Sequence, residues 1–160
     1  MVRIFLQVFV FAVIFLIIAF FGIGFVRTGI TQSGTNEKKF LSGSIKLPLP
    51  EGFYKGKVTA YYGSWKGKEF DSLNSSGINV FQATPKDQKL YPFKTFVAKG
   101  LRDTTIDVLV LDYNLPENPW WLRHIRDEIV QVDKGVFFGK LFLEVIPGHP
   151  FALGYFTLQK

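Results

Sequence analysis

The chain has no cysteine, one methionine and two histidines among 160 residues. Without thiols there is no disulfide scaffold, no thiolate metal site and no cysteine nucleophile. Two histidines cannot build a three-histidine metal cage. Gly-rich phosphate loops and a Gly-x-Ser-x-Gly elbow are also missing, which argues against nucleotide chemistry and a serine hydrolase of that type. His149 stands alone in a Gly-His-Pro turn, and Asp103, Asp107 and Asp112 are spaced along a strand, so neither a metal nor a cofactor is assigned. What the chain does have is apolar surface: 48% of its residues are hydrophobic and 17% aromatic, with 18 phenylalanines. That composition does not suit collagen, a coiled coil or wholesale disorder, and the length allows one modest domain plus an appendage.

The appendage comes first. From Ile4 to Val26 the only strongly polar side chain is Gln7, and about 20 apolar residues suffice for a helix to cross a hydrocarbon core of about 30 Å. Arg3 and Arg27 bracket the run at the two interfaces. The run exceeds the roughly 7–15 apolar residues of a signal-peptide core, and no Ala-x-Ala site follows it. An uncleaved single-pass anchor over residues 1–27 is therefore expected. Sidedness is ambiguous: Arg27, Lys38 and Lys39 follow the run, which by the positive-inside rule puts the domain in the cytoplasm. A short N-tail with one arginine is, however, also how export signals begin, and the expectation adopted is an extracytoplasmic domain.

Residues 28–50 are expected to form a flexible tether, since TGITQSGTNEKK lacks apolar periodicity and Leu47-Pro-Leu-Pro50 cannot continue a helix. Lys38 to Lys68 holds seven lysines against Glu51, and Leu101 to Asp133 holds three arginines and seven acids. The first stretch is either an ordinary solvated surface or a basic collar facing anionic headgroups. A net charge of +6 with no recognition motif gives no support for nucleic acid as a partner.

After Glu51, short apolar runs rich in Val, Ile, Phe, Tyr and Thr alternate with Gly, Pro, Asn and Asp. They predict strands at Tyr54–Tyr62, Ser64–Phe70, Ile78–Ala83, Phe93–Lys99, Thr105–Tyr113, Glu128–Val132, Val136–Val145 and Ala152–Leu158. Asp133-Lys-Gly135 is the clearest hairpin turn and Pro147-Gly-His-Pro150 the next. Asn118 and Pro119 suit the start of a short helix over Trp120–Asp127, with a continued strand as the alternative. The expected fold class is all-β: a transmembrane helix followed by an antiparallel barrel of about eight strands over residues 51–160. Such a barrel is either filled with side chains or holds one small ligand.

Gly63-Ser-Trp65-Lys-Gly67 resembles the Gly-x-Trp signature of lipocalins and the wider calycin group, and Leu111-Asp112-Tyr113 is similar to their Thr-Asp-Tyr signature. Trp65-Lys-Gly-Lys-Glu-Phe70 and Asp112-Tyr-Asn-Leu-Pro116 also resemble stretches of bacterial proteins named for a Gly-x-Trp-x-Gly domain. Together these cover about Tyr61 to Leu158. The resemblance implies a barrel and a small hydrophobic ligand. It further implies that Trp65 closes one barrel end and that Arg123 or Arg126 packs on it, and it carries no catalytic residue.

The set assigned to a ligand is Trp65, Phe81, Phe96, Tyr113, Arg123, Arg126 and Phe138, with either arginine available to a fatty-acid carboxylate. Trp120 and Trp121 are assigned to a membrane or partner contact. Three functions follow in order. The first is a non-catalytic module that holds a lipid or fatty acid, with membrane lipid and a small apolar ligand as its partners. The second is a solid-cored assembly module with a membrane-protein partner. The third is an enzyme acting on a lipid or isoprenoid through His124 with Asp112 or Asp127.

Overall fold

The structure, a computed structural model, describes residues 2–58 and 63–160. The helix α1 (Val2–Ser33) has 32 residues, about 48 Å at 1.5 Å per residue. Among the described residues it is the one helix long and apolar enough to cross a membrane. It outruns a hydrocarbon slab of about 30 Å, so its last turns stand beside the domain. A short helix, α2 (Thr35–Leu41), follows at once.

Eight strands follow: β1 (Gly52–Val58), β2 (Trp65–Asp71), β3 (Ser76–Phe81), β4 (Gln88–Lys99), β5 (Asp107–Asp112), β6 (Ile125–Asp133), β7 (Val136–Leu143) and β8 (Phe151–Gln159). Each pairs antiparallel with its neighbour in sequence, and β8 returns to β1, closing the barrel. The expected closed, eight-stranded antiparallel sheet is therefore present, and closure leaves no free edge for so apolar a chain. The expected extension of the first strand over residues 59–62 lies outside the described residues. Gly135, at φ +69°, takes the left-handed conformation that the expected β6–β7 turn requires.

One expectation fails here, and one pair of alternatives is decided. The segment expected to be a tether is helical as far as Leu41, because α1 runs on to Ser33 and α2 is packed on the barrel. Phe40 is fully buried, and the Glu37 carboxylate is bonded to Lys140 of β7. The helix considered over Trp120–Asp127 shrinks to one 3-10 turn, Leu122–His124, since Ile125 already pairs with Leu143.

The core has two layers, set by the period-2 alternation of the strands. Tyr54, Phe70, Phe93, Leu109, Leu111, Ile129, Phe137 and Leu158 are among the side chains that fill the inside. On the outer wall, Val108, Val110, Val130 and Phe138 pack under Phe40 of α2. Burying a side chain the size of Phe40 stabilises the fold by about 1.5–3 kcal/mol. A buried polar group also lies in this outer layer. The Lys140 ammonium, fully covered, sits 2.7 Å from Glu37 and 2.8 Å from Asp103, and the Tyr155 hydroxyl donates to Glu37.

Two hydrogen bonds and one polar contact join α1 to β8. Arg27 Nε donates to the Leu153 carbonyl at 2.7 Å, the Ala152 amide donates to the Thr28 hydroxyl at 3.0 Å, and the Tyr155 hydroxyl, its one proton given to Glu37, lies 3.1 Å from the Thr31 carbonyl. Above them Phe151 sits edge-on to Phe25, 5.1 Å between centroids, and against Gly24. They fall where a register shift in the β7–β8 ladder, between Leu141 and Phe142, leaves β8 backbone groups free to face the helix.

Candidate ligand cavity

A cavity of about 1310 Å³ extends from the end of the barrel at which β1, β3, β5 and β7 finish out along α1 to the start of α2 at Thr35 and Asn36. Its inner wall includes Val58, Trp65, Phe81, Tyr91, Leu122, Ile125, Leu141 and Phe156. Its outer wall is α1 itself, from Gly22 through Arg27 to Thr31. The opposite end is packed solid by Tyr54, Phe70 and Phe137, whose rings meet edge to face at 5.5–5.7 Å.

The side chains at the bottom of the cavity are polar. Lys68 on β2 and Asp127 on β6 are almost fully buried and lie 2.9 Å apart. Lys68 also donates to Asn79 Oδ1 at 2.9 Å and to the Tyr113 hydroxyl. Tyr113 donates to Asp127 Oδ2 at 3.1 Å. Trp65 Nε1 donates to Asn79 Oδ1 at 3.0 Å. Asn79 Nδ2 donates to the Tyr91 carbonyl at 3.0 Å and to the Tyr113 hydroxyl at 3.1 Å. Asp127 Oδ1 is buried and has no partner among the described residues. Burial pulls the Lys68 ammonium below its usual range, against the attraction of Asp127. Burial, then the Asp127 charge, pushes the Tyr113 phenol well above its usual value, so Tyr113 remains a neutral donor. Four aromatic faces surround the Lys68 ammonium at 5.1–5.6 Å: Trp65, Phe93, Tyr113 and Phe156.

Local geometry explains how these groups reach the lumen. Trp65 lies over Gly56 of β1, where an added Cβ would stand 2.3 Å from the indole. Tyr91, at φ +60°, sits at the bulge opposite Ile78 and Asn79. A tyrosine in that conformation costs about 1–3 kcal/mol unless its surroundings impose it. Here the Asn79 side chain holds its carbonyl and Phe81 holds its ring edge-on at 5.7 Å.

Of the residues assigned from sequence, Trp65, Phe81 and Tyr113 line the cavity. Trp65 is a wall residue at the open end and not the floor; the cation beside it is Lys68, not a late arginine. Phe96 is on the outer face, half-exposed, with the Arg126 guanidinium 5.9 Å from its ring. Phe138 is also outside, stacked on Tyr155 at 5.2 Å beneath α2. Arg123 folds back on its own loop, donating to the carbonyls of Asn118 and Pro116. Arg126 points outward to Glu128, 3.2 Å away. His124 is exposed whereas Asp127 is inside with Lys68, so they do not form a base with its orienting acid. Trp120 and Trp121 are exposed on the β5–β6 connection at the rim, and Trp121 lies 6.1 Å from Tyr91.

Lys68, Asn79 and Asp127 were outside the assigned ligand set. A buried lysine carries no local mark in a lysine-rich stretch; its partner lies 59 positions on, and the only hint is the alternation that puts Lys68 on the same face as Phe70. Comparison of the chain with protein-family models, with curated proteins and with solved structures finds no match in any of the three.

Proposed function

We propose that this chain is a membrane-anchored, non-catalytic binding module for a small apolar molecule of lipid character. The observation that carries this is the cavity of about 1310 Å³, lined both by aromatic side chains of the barrel and by the end of the long apolar helix. Small-molecule sites commonly occupy about 300–1,000 Å³ and are mostly apolar with a few placed polar groups. The rim lies level with Gly24 and Arg27, the end of the apolar run, so the mouth faces the bilayer surface. Trp120 and Trp121 at that rim suit the headgroup layer, where tryptophan is favoured. A ligand then passes between acyl chains and lumen with little contact with water. A void of this size speaks against the solid-cored assembly module.

The test is native mass spectrometry of the full chain released from lipid nanodiscs. The wild type should carry one lipid-sized adduct. Leu141→Trp, which fills the lumen from β7, should lower its occupancy at least tenfold, and Phe96→Ala, on the outer wall, should leave it unchanged. A wild-type chain without an adduct that also fails to take up a fluorescent lipid would overturn the proposal.

A further inference from the structure

We infer that the molecule held in this cavity is neutral and carries a hydroxyl group, which donates to Asp127 Oδ1 at the bottom of the lumen. This rests on the binding function proposed above and narrows its ligand class.

The inference comes from a hydrogen-bond inventory of the cavity floor. An ammonium has three protons, and those of Lys68 go to Asp127, Asn79 and Tyr113. A phenol has one proton and two lone pairs: Tyr113 donates to Asp127 and accepts from Lys68 and Asn79. Both amide protons of Asn79 are committed, to Tyr91 and Tyr113, and its oxygen accepts from Lys68 and Trp65. The single indole proton of Trp65 is spent on Asn79. Every donor of the cluster is used. What remains is one acceptor, Asp127 Oδ1, on a side chain only 4% exposed.

A buried carboxylate oxygen without a donor is costly, about 1–3 kcal/mol or more for a charged group, and Asp127 is one of the residues that line the cavity. The partner must bring a proton. A carboxylate or phosphate diester brings none, finds every donor of the floor cluster committed among the described residues, and meets the Asp127 charge. A second ammonium would sit against Lys68. A hydroxyl meets neither obstacle. Arg123 and Arg126, the cations expected to greet a fatty acid, are on other surfaces. Arg27 stands at the rim, its Nε committed to Leu153. An acid could approach Arg27 only with its tail against the buried ion pair.

Three probes of nearly equal length separate the possibilities: hexadecan-1-ol, methyl hexadecanoate and hexadecanoate. Each is doped at the same mole fraction into phosphatidylcholine nanodiscs holding the full chain at pH 8, and adducts are counted by native mass spectrometry. The alcohol should be retained at least tenfold over the ester, which has no donor, and over the acid. In Asp127→Asn the Lys68 ammonium loses its counter-charge; the alcohol's advantage should fall below threefold and the acid should overtake the ester. Equal retention of alcohol and ester in the wild type, or retention of the acid at or above the alcohol, would overturn this inference and leave the binding function standing. Failure of all three probes, with no co-purified lipid, would sink both. The wild-type comparison decides the matter even if Asp127→Asn does not fold.

Discussion

Lys68 and Asp127 reach each other from opposite walls of the barrel: three strands separate β2 from β6 in either direction, yet their charged atoms are 2.9 Å apart. The pair therefore bridges the lumen, with packed rings below it and open space above. Bringing two charges out of water is expensive, and such a pair is close to neutral in stability against well-packed apolar residues, whereas removing one partner is not.

Lys68→Met should accordingly destabilise the fold by about 3–5 kcal/mol, roughly a 10 °C drop in Tm for a chain of this size. The double variant Lys68→Met with Asp127→Leu should recover most of that loss. Thermal unfolding followed by circular dichroism in detergent checks both, and a single variant as stable as the wild type would count against a buried pair.

Thr28 ties α1 to the barrel. Its hydroxyl accepts from the fully buried Ala152 amide and donates to the Gly24 carbonyl. Thr28→Val keeps the shape and orphans that amide, at a cost of about 1–3 kcal/mol. Hydrogen exchange across Phe151–Leu153 should accelerate, and Thr28→Ser should restore protection.

Glu128 supplies a pH dependence of definite sign. Burial raises its carboxyl above the ordinary value of 4.5, opposed by the Leu101 amide and Arg126. The folded state thus holds its proton to higher pH than the unfolded state. Its contribution to stability is complete below 4.5 and is lost as pH rises through the folded value. The Tm of Glu128→Gln minus that of the wild type should grow from pH 4.5 upward and then level off. A difference that stays constant across the range would refute the assignment.

Much of the architecture was legible from local pattern. Strand positions follow from β-branched and aromatic runs punctuated by Gly, Pro and Asp, and Gly135 marked its turn without ambiguity. Which face each strand shows was harder, because part of the outer wall is itself a core. Phe138 and Val110 are covered by α2, so they read like lumen residues. Alternation from buried Phe93 would have put Phe96 outside. The helix α2 has no apolar stripe of its own; it is held by Glu37 reaching Lys140, 103 positions away, and by Phe40. No local signal announces such a contact. The cavity floor shares that difficulty, since its chemistry is divided among β2, β3, β6 and the residue after β5.

The absence of cysteine makes sidedness simple to measure. Leu73, on the β2–β3 connection at the end opposite the cavity, is 94% exposed. Leu73→Cys gives a chain with a single thiol. In intact cells of the expression host a membrane-impermeant maleimide should label it, as expected for an extracytoplasmic domain. Labelling only after the membrane is permeabilised would place the barrel in the cytoplasm.

The clasp formed by Arg27, Thr28 and Thr31 on β8 has a kinetic consequence. A freely tumbling carrier must strike its target in the right attitude, which lowers association from a diffusion limit of about 10⁹–10¹⁰ M⁻¹s⁻¹ to about 10⁵–10⁷ M⁻¹s⁻¹. A domain fastened to its own helix in this way does not swivel about it. Under the binding function proposed above, its entrance keeps one bearing toward the leaflet, and capture becomes a matter of sideways drift within a two-dimensional fluid.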